Sequence, residues 1–211
     1  MLANRQQAGR ALAAKLLTYK NENPVILALP RGGVPVAAEI AGSLEAPLDV
    51  ILVHKIGAPY QPELAIGAVV GGAQPETLVD DEVMALVHAD RDYVAAEAAR
   101  QFLIIERRET LYRRGRSPES VTGRTAILVD DGIATGWTMR AAIRAVRRSD
   151  PTRIIVAVPV AAPQALADLR AEVDGVVCLE APEYLGSIGQ FYRDFTQVGD
   201  DEVIALLARG K

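Results

Sequence analysis

Residues 126–138 read Ala-Ile-Leu-Val-Asp-Asp-Gly-Ile-Ala-Thr-Gly-Trp-Thr. The apolar residues at the front make a buried strand, and two adjacent carboxylates sit at its end. A turn of glycines and hydroxyls follows, and a helix begins near Thr138. Asp130 and Asp131 can accept hydrogen bonds from vicinal sugar hydroxyls. The turn Ala134, Thr135, Gly136, Trp137, Thr138 can aim backbone N–H groups and two hydroxyls at a phosphate, helped by the positive end of the helix dipole. The plainer reading, a turn after a parallel strand, suits Asp-Asp-Gly alone. It leaves the hydrophobic run and the Ala-Thr-Gly-x-Thr that flank it without a reason.

The rest of the chain alternates strand and helix signals around this unit. Short apolar runs fall at Val25 to Leu29, Asp49 to Val53, Thr125 to Val129, Arg153 to Val158 and Gly175 to Leu179. Helical stretches run from Pro35 to Leu44, Thr138 to Arg148, Pro163 to Val173 and Asp200 to Arg209, and Leu2, Arg5, Gly9, Leu12 and Leu16 give an opening amphipathic helix. Continuous apolar strands separated by helices predict an α/β fold, a Rossmann-like parallel sheet with helices on both faces. Ligands of such sheets gather at the carboxyl ends of the strands. Between the second and third strands lies an insertion, about residues 60–118. It reads as a hairpin over 64–80, turning at 71–76, and then one or two helices over 80–114 with a break near His88. A small hood is expected from about 180 to 211, and the chain of 211 residues fits a single domain, 1–211.

Composition narrows the classes. A net charge of −4 does not suit a protein that coats nucleic acid, and no apolar run is long enough to span a bilayer. The basic residues Arg5, Arg10, Lys15 and Lys20 interrupt any signal-peptide core, so a soluble cytoplasmic protein is expected. The lone Cys178 permits no disulfide within the chain and reads as a small core residue.

Further candidate pieces lie at other strand ends. Pro30-Arg31-Gly32-Gly33 follows the first strand and precedes a helix, where glycines let backbone approach an anion; alone, it is also an ordinary turn. His54-Lys55-Ile56-Gly57 closes the second strand. His54 has no Cys or His partner at metal-ligand spacing, so no zinc site is predicted. The arginines between 107 and 116 suit a solvated helix end or a cationic lid. Phenylalanine and tyrosine are sparse, yet Phe191, Tyr192 and Phe195 fall together after the last strand. They suit either a stacking surface or the packing of the last helix on the sheet.

The unbroken stretch from Ile127 to Thr138 resembles the motif of type I phosphoribosyltransferases that binds 5-phosphoribosyl-1-pyrophosphate (PRPP). Trp137 replaces the small residue usual there, so its ring must turn away or cap the pocket. The resemblance covers most of residues 24–160 and implies a Mg²⁺-dependent transfer of the phosphoribosyl group from PRPP to a nitrogenous acceptor, with release of pyrophosphate. It implies ribose and 5′-phosphate binding by Asp130, Asp131 and the loop Ala134, Thr135, Gly136, Trp137, Thr138. It implies pyrophosphate binding by Arg31, Gly32, Gly33 and Lys55, with Lys55 and the acid pair in catalysis and no protein metal ligand directly assigned. It also implies a cis peptide beside Arg31, and a mobile loop over residues 57–67 from which Tyr60 and Glu63 could face the sugar or merely cap the hairpin. Phe191 and Tyr192 are the corresponding candidates for stacking on the acceptor. Residues 80–118 have no counterpart in the small family members. The acceptor stays unassigned and a homodimer is left open. The competing reading is a non-catalytic PRPP- or nucleotide-binding regulator of the same fold; a receiver-like protein using Asp-Asp for a metal would not account for Ala-Thr-Gly-x-Thr.

Overall fold

The computed structural model describes residues 1–72 and 75–209, with the side chain of Glu63 left out. Ala73 and Gln74, in the expected hairpin turn at 71–76, and Gly210 and Lys211, at the end of the expected hood, lie outside the described residues. Five strands form a parallel sheet: β1 (Pro24–Ala28), β2 (Leu48–Val50), β6 (Thr125–Val129), β7 (Arg153–Val160) and β8 (Gly175–Glu180), in the order β2-β1-β6-β7-β8. A second, antiparallel sheet holds β3 (Val53–Ala58), β4 (Gln61–Val70) and β5 (Glu76–Val79), with β4 central. Seven helices complete the described chain: α1 (Arg5–Leu16), α2 (Gly33–Leu44), α3 (Asp81–Leu86), α4 (Arg91–Arg113), α5 (Trp137–Arg147), α6 (Pro163–Glu172) and α7 (Asp200–Arg209).

Side chains alternate across the pleat. Ile26, Ile127 and Ile155 face the core shared with Leu12, Ile40 and Leu207 of α1, α2 and α7, whereas Val25, Leu27, Leu128 and Val156 face that of Ile143 and Leu166 from α5 and α6. Burial on both faces explains why these strands read as uninterrupted apolar runs. From β1 the order moves to β2 on one side and to β6 on the other, so the strand order reverses between β1 and β6. Ligands of open α/β sheets bind outside the carboxyl ends at such a switch point.

The expected second strand, Asp49 to Val53, is two strands. After Val50 the chain leaves the large sheet; the Ile51 N–H still donates to Ala28 at 3.0 Å, while the Leu52 carbonyl already accepts from Gly71 at 2.8 Å. His54 and Lys55 therefore lie in β3 of the small sheet, not at the end of β2. Residues 57–67, expected as a mobile loop, form the tip of the β3–β4 hairpin. Pro59 sits in the turn, and Pro62 falls where the register slips between Gly57↔Ala65 and Ala58↔Gln61, a stretch in which no ladder N–H is required. Tyr60, at φ +65°, is fully exposed at this tip and does not face a site.

The insertion is tied down by charge as well as by packing. Val94, Ala98, Ile105 and Tyr112 line the buried face of α4. At its end, Arg113 donates to Asp49 (3.3 Å), to the Val50 carbonyl (3.2 Å) and to Glu109 (2.8 Å), while the other Asp49 oxygen accepts from the Glu119 N–H (2.9 Å). Arg116 reaches the Leu207 carbonyl of α7 at 3.2 Å. Arg113 and Arg116 are thus brackets between elements rather than a lid, while Arg107 and Arg114 are exposed as a solvated helix end requires. Removing one partner of a buried pair leaves an uncompensated charge. Asp49→Ala should therefore lower the unfolding free energy by about 3 kcal/mol, read from the denaturant midpoint; a loss within the scatter of exposed-surface variants would show that the pair does not hold the insertion.

Candidate active site

The loops leaving β1 and β6 lie side by side. The Leu29 N–H donates to the Val129 carbonyl at 2.8 Å, carrying the ladder one residue past the end of β1 to the last residue of β6. Beyond it the two chains touch through glycine. A Cβ on Gly32 would stand 2.0 Å from Asp131 Oδ2, and one on Gly33 would stand 2.6 Å from the Val129 carbonyl oxygen. The sequence needs glycine at 32 and 33 because acid pair and loop share one space. The Pro30–Arg31 peptide is cis, as the resemblance implied.

No described acceptor takes the N–H groups of Arg31 and Gly32, or those of residues 134–138. Gly136, at φ +79°, precedes α5 and supplies no capping side chain. In contrast, Asn4, Asp80 and Asp90 cap α1, α3 and α4 with their side chains. The first turn of α5 thus keeps its orphan donors for something other than its own chain. Thr135 and Thr138 are exposed, and Trp137 is half-buried.

A cavity of about 650 Å³ opens between these loops, the hairpin and α4, lined by Leu29, Pro30, His54, Lys55, Asp130 and Thr138 and, from α4, by Tyr93, Glu97 and Gln101. Its volume lies within the range of small-molecule clefts, roughly 300–1,000 Å³. The wall from α4 is a hydrogen-bonded chain. Arg108 donates to His54 Nε2 (3.0 Å), His54 Nδ1 donates to Gln101 Oε1 (2.9 Å), and Gln101 donates to Glu97 (2.7 Å). These roles fix the neutral tautomer with the proton on Nδ1. The Tyr93 hydroxyl donates to the Gly57 carbonyl at 2.9 Å and closes α4 onto the hairpin. The spacing of Tyr93, Glu97, Gln101 and Arg108 puts them on one helical face, a polar stripe visible in the sequence once α4 is known to be a helix.

The two acids are not equivalent. Asp130 lines the cavity, and burial, with the negative charge of Asp131 behind it, pushes its carboxyl well above the usual carboxylate range. Asp131 does not line the cavity. It is held by Arg5, whose Nε and one terminal nitrogen both lie 2.8 Å from Asp131 Oδ2. Arg31, expected on pyrophosphate, directs its guanidinium toward Asp200 of α7 at 3.9 Å, and the Tyr112 hydroxyl donates to that same carboxylate at 2.6 Å.

Phe191 and Tyr192 do not form a stacking surface. The Tyr192 ring is 5% exposed and its hydroxyl donates to the Asp131 carbonyl at 2.6 Å; Phe191 packs beside it against Leu2, Ala8 and Val160. The hood closes on α1, with Leu2 and residues 191–194 exchanging backbone hydrogen bonds, because an aromatic cluster beside an apolar N-terminus is buried more favourably than displayed. Glu63, also considered for the sugar, has its side chain outside the described residues.

A second cavity of about 500 Å³ lies among β2, the end of α4 and the end of α5. The arginines in its wall are already engaged, Arg113 with Asp49 and Arg148 with Glu76.

Two outcomes follow from this geometry. Gly32→Ala should displace the Asp131 carboxylate from Arg5 and lower the unfolding free energy by about 2 kcal/mol, roughly the cost of a lost charged hydrogen bond, read from the denaturant midpoint. Desolvation is the main cause that holds the His54 ring below its ordinary pKa, with the nearby Arg108 charge acting in the same direction against the Gln101 hydrogen bond. The unfolded chain then binds a proton more readily than the folded one, so this contribution to stability is full above the ordinary imidazole value and is lost as pH falls from there through the lowered value of the folded state. An NMR titration should place His54 below that value, and an ordinary midpoint would rule out the neutral wall.

Comparison with known proteins bears on the same constellation. A family model for the phosphoribosyl transferase domain matches residues 2–196. Two Mycobacterium tuberculosis proteins, from strains CDC 1551 and H37Rv, provisionally named phosphoribosyl transferases, are each 44% identical over 206 residues, 98% of this chain. The chain spans 46% of their length, about half. The crystal structure of TT1426 from Thermus thermophilus is 43% identical, covers 99% of this chain and 98% of its own, and superposes with a TM-score of 0.85. The structure of the AQ2163 protein from Aquifex aeolicus, at 13% identity, 88% of this chain, 78% of its own and a TM-score of 0.53, shares the fold alone. The chain belongs to the phosphoribosyl transferase domain family.

Proposed function

We propose that this protein is an enzyme that binds PRPP in the cavity at the β1–β6 switch point and transfers its phosphoribosyl group to a nitrogenous acceptor, releasing pyrophosphate. The observation that carries this reading is two runs of backbone N–H groups without a described acceptor, at residues 31–32 and 134–138, in the loops after β1 and β6, whose Pro30, Asp130 and Thr138 line the cavity. Two anion cradles separated by a carboxylate match a sugar that carries a phosphate at one end and a pyrophosphate at the other.

In this reading the first turn of α5, with Thr135 and Thr138, holds the 5′-phosphate. It supplies positioning rather than chemistry. Asp130 meets a ribose hydroxyl, and the positive charge that grows on the ring as the C1–oxygen bond breaks favours its ionised form against the burial that opposes it. The Arg31 and Gly32 N–H groups donate to the departing pyrophosphate, while the Gly33 N–H stays on the Leu29 carbonyl at 3.1 Å. Lys55, in the cavity wall, presents a compact ammonium to the charge of the leaving group. The acceptor nitrogen then bonds C1 from the face opposite the leaving group.

The donor set suits Mg²⁺. It offers hard oxygens, with Asp130 placed to hold the ion and most of the shell left to substrate oxygens and water. When bound, the ion neutralises pyrophosphate charge. The α4 wall of Tyr93, Glu97, Gln101 and His54 gives the cavity hydrogen-bonding groups for a polar acceptor, whereas the aromatic hood takes no part in stacking on it. A non-catalytic sensor of the same ligand is the second reading, and Lys55 in the cavity wall favours the enzyme.

Incubation with PRPP, Mg²⁺ and a panel of nucleobases and amines, scored for pyrophosphate, tests the assignment; tight PRPP binding without release under any acceptor would favour the sensor. Lys55→Ala should lower kcat by roughly 100-fold, the scale of one lost transition-state donor, with a smaller change in PRPP affinity. Equal losses in both would make Lys55 a binding residue only.

A further inference from the structure

Arg31 belongs to the loop whose N–H groups await an anion, yet its own side chain is idle. Among the described residues no hydrogen bond takes a donor of its guanidinium. Arg5, Arg113 and Arg116, by contrast, spend theirs on carboxylates and carbonyls. The contact of Arg31 with Asp200 is loose. Nη1 lies 3.9 Å from Asp200 Oδ1, and the two side chains are 31% and 46% exposed. That same oxygen has a closer partner, because the hydroxyl of the buried Tyr112 donates to it at 2.6 Å. Burial, with the carboxylate beside it, pushes the pKa of Tyr112 up to about 12, so the hydroxyl remains a donor through neutral pH.

Asp200 also opens α7, where the positive end of the helix dipole favours a carboxylate. Unlike the buried Asp49 beside Arg113, it therefore stays satisfied when its arginine leaves. A partly exposed ion pair holds weakly, and a half-buried arginine can change rotamer without moving its backbone. A pyrophosphate arriving at the Arg31 and Gly32 N–H groups offers more charge and more acceptor oxygens than one carboxylate already bonded to a tyrosine. We propose that Asp200 and Tyr112 set the affinity of the pyrophosphate end of the cavity through Arg31: Asp200 holds the guanidinium in reserve, Tyr112 weakens that hold by bonding the same oxygen, and Arg31 passes to the pyrophosphate when it enters. The inference rests on the reading of the cavity as the PRPP site. It gives α7, which contributes nothing to the cavity wall, a part in how tightly that wall binds.

The test is a calorimetric titration of the full chain with inorganic pyrophosphate and Mg²⁺, repeated with PRPP. Asp200→Asn keeps an acceptor for Tyr112 but gives up the charge, and it should tighten both ligands roughly two- to fivefold, the range in which a partly exposed ion pair holds. Tyr112→Phe leaves the Asp200 carboxylate to Arg31 and should weaken both by a similar factor. A role in folding alone would move the two variants in the same direction. Arg31→Gln should weaken binding roughly tenfold, and Asp200→Asn should add nothing in that background, since no guanidinium is left to release. Asp201→Asn, exposed and one residue further on, controls for the field of the helix end and should leave both affinities unchanged. Weaker or unaltered binding by Asp200→Asn overturns the proposal, as does a gain that persists without Arg31 or that Asp201→Asn reproduces. Should Tyr112→Phe fail to fold, the Arg31 and Asp200 variants decide by the same outcomes. A wild type that binds neither ligand removes the reading of the cavity, and the proposal with it. A wild type that binds both, with no gain from Asp200→Asn, overturns the proposal alone.

Discussion

The structure turns on how closely β1 and β6 run past their ends. Two parallel strands normally diverge into their crossover helices once the ladder stops. Here one more hydrogen bond, Leu29 to Val129, carries the pairing forward, and the two glycines at 32 and 33 remove the side chains that would force the loops apart. The consequence is electrostatic. A negatively charged turn after β6 and a donor-rich turn after β1 are pressed together where strand order reverses, so unused N–H groups flank a carboxylate at short range. Separation of the loops by a single methyl group would dissolve that arrangement, because the Asp131 carboxylate occupies the volume a Cβ would need.

That contact also explains the placement of charge deeper in the molecule. Asp131 displaced from solvent needs a cation, and α1 provides one in Arg5, itself shielded by Phe195 and anchored by Thr196. The same solution recurs at the other end of the site, where Arg31 and Tyr112 meet on Asp200. In both places a carboxylate is answered from a helix or loop outside its own element. The terminal elements are therefore part of the site's electrostatics, although they contribute nothing to the cavity wall.

Much of this was legible in the amino-acid order. The parallel strands are apolar without alternation because both faces are covered, and β6 and α7 fall where the pattern places them. The break between α3 and α4 is marked by His88 at positive φ and the Asp90 cap. What was not legible depends on long-range partners. Asp49 to Val53 reads as one strand because nothing local reveals that Ile51 and Leu52 bond to different sheets. Residues 57–67 read as a loop because proline and glycine signal irregular backbone, and a bulged hairpin satisfies the same signal. Phe191 and Tyr192 suggest a stacking surface until packing against Leu2 and Ala8 takes them up, and Arg5 itself looks like any basic residue on an amphipathic helix. Its partner lies 126 positions away, and only the fold brings them together.

The transfer of Lys55 from the large sheet to the hairpin changes what the insertion is for. Were it at the end of β2, its position would be fixed by the rigid parallel core. On β3 it rides on a small sheet braced against the rest by α4. Tyr93 ties the hairpin to that helix, the His54–Gln101–Glu97 chain continues the contact, and Arg113 fixes the far end of the helix to Asp49 in β2. The cation and the carboxylate in the cavity wall thus belong to two sheets, joined by α4 through a polar stripe and through Val94, Ala98 and Ile105, which pack with Ile56, Ile66 and Val69 of the hairpin. Polar contacts of this kind bind less tightly than an apolar core but hold direction better. The apolar residues of α4 hold the hairpin against the core and the polar stripe beside them fixes its direction, so one long helix serves both as brace and as cavity wall.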